Sequence, residues 1–441
     1  MRRLAIVGSG PAGFYTAEAA LKRFGDEVEI DLIDRLPTPY GLIRAGVAPD
    51  HQSIKAVAKR YHQVAIDERV RFAGHVAVGR DVSLDDLRAL YDDVVLAVGA
   101  PEDRPLGIPG DDLPGVVGSG AFVGWYNGHP DFHDLQPPLG GDTVAVVGNG
   151  NVAIDCARIL AKTAEELASS DIAGHALSSL SRTRLRHIHL LGRRGPHQAS
   201  FTLKEVGELG ELQRATPLVL PEDFPPEAAD AALDSGQRRV VEVLRRFAAT
   251  GPDPEQPITL HLRFFRRPVE ILGDGRVEAV RLMKTRIDAD GRVSDTGETE
   301  LLPCSMLITA IGYRTAAIPG APFDRRQGRF ENRDGLIAPG LWCVGWAARG
   351  PSGTIGTNRP TAIELVDRIA AAGAATEATT GAAGGKEGRA GFERLLRQRD
   401  HRQSSFADWQ KIDAAEVAAA RPGAPREKLV RLDQLLELIG R

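Results

Sequence analysis

Short apolar runs that end in glycine-rich turns alternate with segments of helical spacing at the start of the chain. Arg3–Val7 is apolar enough for a buried strand, and a turn rich in glycine follows it. In Pro11–Phe24 the apolar residues recur at helical spacing, which predicts an amphipathic helix. Val28–Ile33 has the pattern of a second strand, with Asp34 at its tip. This order of elements predicts a βαβ unit and an α/β fold class.

The same pattern returns near residue 142. Thr143–Val147 begins a second βαβ unit, and His187–Leu191 supplies its next strand. Five further segments have readable patterns: a strand at Asp93–Gly99, a helix at Gln237–Ala249, antiparallel strands within 258–300, and buried strands at Ser305–Ile311 and Leu341–Val344. The second unit therefore lies between two stretches that fit the first.

This order predicts an inserted domain. We expect residues 105–310 to form it, within a domain made of residues 1–104 and 311–441. Residues 371–390 are rich in Ala, Gly and Thr, which predicts a flexible linker. Residues 391–441 form a C-terminal tail of charged, helical pattern, whose role composition does not indicate.

The first glycine turn has the spacing of a dinucleotide-binding fingerprint. Gly8 permits a tight turn, Gly10 lets the backbone approach a pyrophosphate, and Gly13 lets helix and strand pack closely. Asp34 follows Gly13 by roughly 20 residues, the distance at which an acid binds a ribose diol. Asp31 is the competing acid, but it lies within the strand rather than at its tip. An acid at this place suits FAD.

The second glycine turn, Gly148–Ala153, has alanine in place of the third glycine, an accepted variant. Its next strand ends in Arg193 and Arg194, after an insert at 162–186 that lengthens the connection. Guanidinium groups make paired, charge-assisted hydrogen bonds to phosphate. The alternative is a solvated loop end. At this place the arginine pair favours a 2′-phosphate, and hence NADP(H).

Composition is that of an ordinary globular protein. The 441 residues are 42% hydrophobic and 26% charged, enough for two or more domains. The net charge of −4 argues against nucleic acid as a bulk partner. Met1–Val7 is too short for a signal peptide, and no apolar run reaches the roughly 20 residues of a membrane span. We therefore expect a cytoplasmic protein.

Three cysteines stand far apart, at Cys156, Cys304 and Cys343. They form no CxxC pair, which excludes a local redox disulfide and a cysteine-held iron–sulfur cluster of ordinary spacing. We expect all three to be buried structural thiols, and we expect no metal site.

Six segments together resemble the adrenodoxin-reductase-type ferredoxin–NADP reductases and their bacterial relatives. The segments are GSGPAGFYTA (8–17), LPTPYGLIRAGVAPDH (36–51), FVGWYNGHP (122–130), GNGNVAIDCARIL (148–160), GRRGPHQASFT (192–202) and VGWAARGPSGTIGTN (344–358). Glycine fingerprints occur in many flavoproteins, whereas the second and last segments are much more specific to this family. The resemblance implies two three-layer, Rossmann-like domains of glutathione-reductase-like type, with the NADP domain inserted in the FAD domain and FAD between them.

The resemblance also implies binding residues. Besides the glycines Gly8, Gly10 and Gly13, it assigns to FAD the residues Ala12, Asp34, Leu42, Val78, Trp346, Gly353, Thr354 and Ile355. It assigns to NADP the residues Gly148, Asn149, Gly150, Asn151, Val152, Arg193, Arg194, Glu205 and, shared with FAD, Gly353. The family often carries Glu where this chain has Asp34.

His51 and Asp155 match family positions proposed to relay protons near the flavin. From the residues alone, His51 is equally a surface histidine in a loop. Asp155 is equally an acid in the first turns of a helix, serving its dipole. Both alternatives stay open at this point.

A flavin accepts a hydride and releases electrons singly, so the resemblance implies an acidic ferredoxin as acceptor, feeding a cytochrome P450 or a similar system. Such a partner needs a basic docking surface. Arg238, Arg239, Arg245 and Arg246 lie on the predicted helix at seven-residue spacing, in a region that the family uses for docking. The alternative is a solvated charged face. Nothing in the sequence indicates an obligate interface, so we expect a monomer.

Other functions fit this sequence less well. A disulfide reductase requires the missing CxxC pair, and a glutamate-synthase-like subunit would carry cysteine-rich cluster motifs. Phe122–His129 resembles the FxGxxxH fingerprint of flavin monooxygenases, but the histidine comes one residue late. A flavin-dependent NADPH monooxygenase, a general diaphorase and a non-enzymatic NADP-sensing flavoprotein therefore remain as alternatives.

Overall fold

A computed structural model describes residues 1–380 and 385–441, and of residues 375–380 it describes the backbone alone. The strands are β1 (Arg2–Val7), β2 (Val28–Ile33), β3 (Val70–Ala73), β4 (Asp93–Leu96), β5 (Glu102–Asp103), β6 (Val116–Gly118), β7 (Thr143–Val147), β8 (His187–Leu191), β9 (Ala215–Val219), β10 (Ile258–Arg263), β11 (Arg266–Leu272), β12 (Ala279–Ile287), β13 (Val293–Pro303), β14 (Met306–Thr309), β15 (Tyr313–Arg314), β16 (Phe323–Asp324), β17 (Arg329–Phe330), β18 (Leu336–Ala338) and β19 (Leu341–Cys343).

The helices are α1 (Pro11–Phe24), α2 (Leu42–Ala45), α3 (Gln52–Lys55), α4 (Ala58–Ala65), α5 (Leu84–Leu90), α6 (Ser119–Tyr126), α7 (Asn151–Ala161), α8 (Ala164–Leu167), α9 (Gly174–Leu180), α10 (Leu203–Glu208), α11 (Ser235–Thr250), α12 (Trp346–Arg349), α13 (Asn358–Thr380), α14 (Gly388–Gln398), α15 (Phe406–Ala418) and α16 (Leu432–Leu438). No helix among the described residues combines the length and apolar character that crossing a bilayer requires.

The first sheet is built from both ends of the chain, in the order β18-β19-β4-β1-β2-β3. Its strands run parallel except for β18, which pairs antiparallel with β19. Successive side chains of β1 enter different cores: Leu4 and Ile6 pack on one face and Ala5 and Val7 on the other. Burial on both faces explains why the last four residues of β1, Leu4–Val7, are all apolar.

The second sheet has the order β6-β14-β7-β8-β10-β9, and all its pairings are parallel. Val144 and Val146 of β7 pack towards the large helical core. Ala145 and Val147 face the opposite way, towards a three-stranded sheet of β11, β12 and β13. The predicted α/β class, with two three-layer units, is confirmed.

One strand departs from the expectation of antiparallel pairing within 258–300. β11 to β13 are antiparallel, as predicted, but β10 pairs in parallel with β8 and β9. Its residues alternate between buried and half-buried, because the side away from the helical core is only partly covered. Alternation is typical of one-sided burial, and it does not determine strand direction.

The element limits follow from local signals. The helix predicted at Pro11–Phe24 has those bounds in the structure. The helix predicted at Gln237–Ala249 is longer, Ser235–Thr250, because the Asp234 carboxylate accepts hydrogen bonds from Gly236 N and Gln237 N and so caps it earlier. The strand predicted to reach Gly99 ends at Leu96.

The segments expected to form a linker and a tail contain regular helices. α13 extends to Thr380 and α14 begins at Gly388, while residues 381–384 of the expected linker lie outside the described residues. The tail packs on the first unit: Trp409 of α15 and Leu435 of α16 are buried in its core. Arg389 of α14 forms an ion pair with Asp31 of β2 at 3.1 Å.

Candidate functional site

The first glycine turn joins β1 to α1, and two of its glycines have no room for a side chain. Gly8 has φ +108°, and a Cβ there would lie 2.4 Å from the Ala97 carbonyl oxygen. A Cβ on Gly13 would lie 2.0 Å from the Gly8 carbonyl oxygen. No side chain caps α1 at Gly10, so the first N–H groups of this helix are available to an anion, and the helix dipole favours one.

Asp34 directly follows β2 and is tied to this turn. Its carboxylate accepts hydrogen bonds from Ser9 N at 2.8 Å, Ser9 Oγ at 2.6 Å and Leu36 N at 3.0 Å. Asp31, the competing acid, is fully buried inside the unit and pairs with Arg71 at 2.6 Å. The structure therefore places Asp34, and not Asp31, beside the glycine turn.

Three further segments approach this turn. A Cβ on Gly41 would lie 3.0 Å from Gly10 Cα, which places Leu42 next to the turn with its side chain 45% exposed. A Cβ on Gly345 would lie 2.6 Å from Ala12 Cβ. From the other side, Val76 N donates to the Asp34 carbonyl at 2.8 Å, and Val78 follows two residues later. These contacts bring Leu42, Ala12 and the segment that carries Val78 towards the first glycine turn.

The loop after α12 completes the cleft. The Trp346 indole Nε1 donates to the Ser352 carbonyl at 3.0 Å, and its ring stacks on Tyr313 with centroids 6.1 Å apart. Gly353 has φ +82°, and Thr354 N donates to Thr357 Oγ1 at 3.0 Å. Gly353 and Thr354 are exposed and Ile355 is half-buried. Trp346 is therefore a loop-anchoring residue at the edge of the cleft and not a core tryptophan.

The second glycine turn joins β7 to α7 in the same way. Gly148 has φ +149°, and a Cβ there would lie 2.3 Å from the Ala310 carbonyl oxygen. The Gly150 carbonyl accepts from Ala153 N at 3.0 Å, and Val152 lies in the first turn of α7. Asn151 Oδ1 accepts from Thr202 N at 2.8 Å. This contact brings the segment that precedes Glu205 against the turn.

Two buried polar atoms at this turn lack a hydrogen-bond partner among the described residues. They are Nδ2 of Asn149 and Oε2 of Glu205. Buried polar atoms of folded proteins are nearly always paired. Both residues are predicted NADP contacts, so the orphaned atoms fit a polar ligand at this position.

Arg193 and Arg194 follow β8, and both are exposed. Their backbone is held firmly, because the Arg193 carbonyl accepts from Thr285 Oγ1 at 2.8 Å and the Arg194 carbonyl accepts from Phe265 N at 3.1 Å. Within residues 1–380 and 385–441, neither guanidinium group has an ion-pair partner. Two anchored, unpaired cations stand where the sequence predicted a phosphate site.

His51 and Asp155 are brought together by a residue that the sequence prediction missed. Arg158 Nη2 lies 2.8 Å from Asp155 Oδ1 and 3.2 Å from His51 Nε2. His51 Nε2 also lies 3.0 Å from Oε2 of Glu208. Arg158 further pairs with Asp50. This network joins the loop at 50–51 of the first unit to α7 and α10 of the second.

The network shifts the acidity of its carboxylates. Burial raises the pKa of Asp155, and the nearby Arg158 only partly offsets this. Burial also disfavours the charged form of Asp50, but the bonds from Arg158 and Lys162 outweigh it and hold the pKa of Asp50 well below its usual range. Arg158 itself is 1% exposed. A lone arginine within the apolar run of α7 was the one sequence signal for this network.

The four arginines of α11 are not equivalent. Arg238, Arg239 and Arg246 are exposed, and the first two donate only to backbone carbonyls of the segment around the start of α11. Arg245 is half-buried, pairs with Asp230 at 2.7 Å and lies over the Phe224 ring. Its charge is therefore neutralised within the fold, and the exposed basic face consists of the other three.

The three cysteines are buried, as predicted, and lie in different hydrophobic cores. Cys156 belongs to the helical core of the second unit, Cys304 to the core under the three-stranded sheet, and Cys343 to one face of the first sheet. A redox disulfide between them would require a different fold.

Comparisons with known proteins agree with this arrangement. The family model described as pyridine nucleotide-disulphide oxidoreductase matches residues 2–345. The mitochondrial NADPH:adrenodoxin oxidoreductase of Mus musculus is 41% identical to this chain, over 99% of this chain and 92% of the mouse protein. The NADPH-ferredoxin reductase FprA of Mycobacterium tuberculosis is 41% identical, over 99% of this chain and 98% of that protein.

A solved structure extends the likeness to three dimensions. The structure of Mycobacterium tuberculosis FprA in complex with NADPH matches this fold with a TM-score of 0.96 at 39% identity, covering 100% of both chains. The resemblance that the motifs indicated is therefore confirmed over the whole chain.

Proposed function

The chain belongs to the pyridine nucleotide-disulphide oxidoreductase family and, within it, to the NADPH–ferredoxin and adrenodoxin reductases; from this premise we propose that it passes electrons from NADPH through FAD to a ferredoxin-type iron–sulfur protein. One observation carries the proposal: two glycine turns of the same design end in groups of opposite charge, Asp34 at one and the unpaired Arg193–Arg194 at the other. One chain thus offers a site for a ribose diol and a site for a 2′-phosphate.

The first cleft fits FAD. Gly8, Gly10 and Gly13 leave the space that a pyrophosphate needs beside the uncapped start of α1, and Asp34 is the acceptor for the ribose hydroxyls. The segment 345–355 would hold the flavin end, with Trp346 anchored to Ser352. FAD held there would supply the chemistry that links hydride transfer from NADPH to the release of single electrons.

The second cleft fits NADPH. Asn149 and Glu205 supply the orphaned polar atoms, and Arg193 and Arg194 supply the cations for the 2′-phosphate. Gly353 serves both cofactors in this proposal; a Cβ there would lie 2.9 Å from the Thr357 side chain. The protein's contribution to electron transfer is then positioning, because holding two reactants in place removes most of the entropic cost of their meeting.

We propose His51 and Asp155 as a proton relay at this junction. Arg158 contacts both side chains and so holds them close together, while its own guanidinium stays protonated and does not carry the proton. His51→Gln should lower kcat and alter its pH profile while FAD content stays unchanged. An unaltered pH profile would mean that His51 only joins the two units.

We propose that residues 1–104 and 311–441 form the FAD domain and that residues 105–310 form the NADP domain. The sheet membership of the strands supports this division, because β1–β4, β18 and β19 share one sheet and β6–β10 and β14 share the other. We further propose a monomer in the cytoplasm. The bacterial relatives support that location, although the animal relatives are named mitochondrial.

A monooxygenase site built on Phe122–His129 has little support. Phe122 is fully buried in the core, and His129 Nδ1 accepts from Asp131 N at 3.1 Å, closing a local turn. A diaphorase or an NADP-sensing flavoprotein would share both clefts, so only turnover separates them from a ferredoxin reductase.

The deciding experiment is NADPH-driven cytochrome c reduction by the FAD-loaded protein, with and without an added ferredoxin. A rate that depends strongly on ferredoxin is expected. Ferricyanide reduction without any stimulation by a panel of plant-type and bacterial ferredoxins would favour the diaphorase. The absence of turnover with every acceptor would favour the sensor.

A further inference from the structure

An open cavity of about 820 Å³ borders the first unit on the side of α2. Its walls come from Tyr40 and α2, from α3 and α4, from Asp171, from α15 and from the C-terminal segment at 426–428. None of the residues assigned to FAD or NADP lines it. The volume is within the range of sites that bind small organic molecules, roughly 300–1,000 Å³.

A buried charge cluster forms part of the wall. Lys55 Nζ lies 2.6 Å from Asp171 Oδ1, and Lys428 Nζ lies 3.1 Å from Asp171 Oδ2. Both ammonium groups also reach Asn127 Oδ1, at 3.2 and 3.4 Å. Lys55, Lys428 and Asp171 are all less than a tenth exposed. Two buried cations therefore share one carboxylate.

The rest of the wall does not compensate for this surplus. Arg44 is matched by Glu416 at 2.5 Å, and Arg426 by Asp413 at 2.5 Å. Lys59 also lines the cavity, is exposed, and has no ion-pair partner within the described part of the chain. The wall therefore carries more positive than negative charge, and a buried charge without a counterion is costly.

The acidity of the lysines reflects the same imbalance. Burial lowers the pKa of Lys428, and the neighbouring Lys55 lowers it further. Burial also lowers the pKa of Lys55, although Asp171 partly restores it. An anion in the cavity would favour the charged form of both. Asn127 Oδ1 accepts from both lysines, and its Nδ2 has no partner among the described residues.

We propose that this cavity is an anion site separate from those of the two nucleotides, and that it takes a small molecule bearing a phosphate or carboxylate group. The aromatic side chains of Trp409 and Tyr40 line the cavity and would pack against the rest of such a molecule. The site joins three parts of the chain: Lys55 from the first unit, Asp171 from the second and Lys428 from the C-terminal segment. A bound anion would fasten these parts together, independently of the electron-transfer function.

The test uses the FAD-loaded enzyme saturated with NADP⁺, so that Arg193 and Arg194 are already occupied. Inorganic phosphate and citrate are titrated separately by isothermal calorimetry, with the ionic strength held constant by potassium chloride. We expect saturable binding of one anion per chain. Binding of phosphate alone or of citrate alone supports the site and identifies the preferred group.

Lys55→Met removes the surplus cation and leaves Asp171 paired with Lys428, so the variant should fold. We expect its anion affinity to fall at least 10-fold. The matched control is Lys284→Met, on β12, whose exposed ion pair with Glu298 lies outside the cavity wall; it should bind like the parent. An equal affinity in Lys55→Met and the parent would overturn the proposal, as would the absence of saturable binding for both anions.

A second measurement needs no variant. The anion that binds should slow backbone hydrogen exchange at residues 426–430 of the parent enzyme, because it fastens the segment that carries Lys428. Exchange there that is no slower in phosphate or citrate than in chloride would overturn the proposal.

Discussion

The Nε2 atom of His51 lies 3.0 Å from Oε2 of Glu208, although 157 positions separate the two residues in the chain. The contact joins the first nucleotide-binding unit to the second, and Arg158 reinforces it from α7. His51, which we propose as part of the proton relay, therefore also helps to hold the two units together. Substitutions here should affect stability as well as catalysis, and the two effects have to be measured separately.

Arg158→Met tests the structural side of this network. The substitution leaves Asp50 and Asp155 without their buried partner, and breaking a buried ion pair in this way typically costs about 3–5 kcal/mol. We expect a loss of that order in the free energy of unfolding by urea. Arg60→Met, which breaks the more exposed pair with Glu18, should cost about 1 kcal/mol or less. Equal losses in the two variants would contradict the role given to Arg158.

Replacing both Arg193 and Arg194 by alanine tests the 2′-phosphate site. A charge-assisted hydrogen bond from a guanidinium group to phosphate is worth about 1.5–3 kcal/mol, so one lost contact should raise the KM for NADPH roughly 10- to 150-fold. The KM for NADH should change little, because NADH has no 2′-phosphate. Steady-state ferricyanide reduction measures both constants. An equal increase in the KM values for NADPH and NADH would contradict the assignment of Arg193 and Arg194 to the 2′-phosphate.

The parts of this site that sequence predicted well are local in origin. Both glycine turns lie at the strand–helix junctions expected of them, and α1 has the predicted bounds Pro11–Phe24. A glycine without room for a side chain and a strand buried on both faces both restrict the residue types at a few neighbouring positions. Such restrictions can be recognised in the sequence. The alternation of side chains likewise predicts that Asp34, and not Asp31, lies at the tip of its strand.

The parts that sequence missed depend on the meeting of distant segments. Glu208 and Arg158 reach His51 only because α7 and α10 pack against the loop at 50–51. The neutralisation of Arg245 by Asp230 is a similar case. The parallel pairing of β10 depends on its neighbours in the sheet rather than on its own alternating pattern.

Two aspartates of the first unit should respond differently to substitution. Asp34→Asn weakens the acceptor for the ribose hydroxyls, and we expect the affinity for FAD to fall about 10-fold or more. Asp31→Asn disturbs a buried carboxylate paired with Arg71 and Arg389, so unfolding free energy should fall by roughly 3 kcal/mol. Flavin fluorescence titration and urea unfolding separate the two. A larger loss of FAD affinity in Asp31→Asn than in Asp34→Asn would reverse the assignment.

The exposed face of α11 is expected to guide the acidic partner. Replacing Arg239 and Arg246 by alanine should slow ferredoxin reduction several-fold at low salt and have little effect at high salt, because rim charges act mainly on association rates. Ferricyanide reduction should be spared. Arg267→Ala, which removes a cation of the three-stranded sheet paired with Asp295, is the control. If both acceptors slow equally, α11 is not a docking face.

A histidine stack on the second sheet should make the protein sensitive to acid. The rings of His189 and His261 stack with centroids 4.2 Å apart, and His187 Nδ1 lies 3.2 Å from His261 Nε2. Burial, then the neighbouring histidine, lowers the pKa of His189 to about 3 and that of His261 to about 4. Arg263 also faces both rings and disfavours their protonation, and its own charge is paired with Glu300.

The sign of the effect follows from these depressed values. The folded state holds the rings neutral, whereas the unfolded chain protonates them near pH 6.5, so their contribution to stability is complete above that pH and is lost as the pH falls towards 4. His261→Phe keeps an aromatic ring on His189 but cannot be protonated. We expect its loss of unfolding free energy between pH 7.5 and pH 5 to be smaller than that of the parent by on the order of 1–2 kcal/mol. The control is His62→Phe, which lies outside the stack and should change the pH dependence of stability less. Identical acid sensitivity in the parent and His261→Phe would show that the stack does not govern the loss of stability in acid.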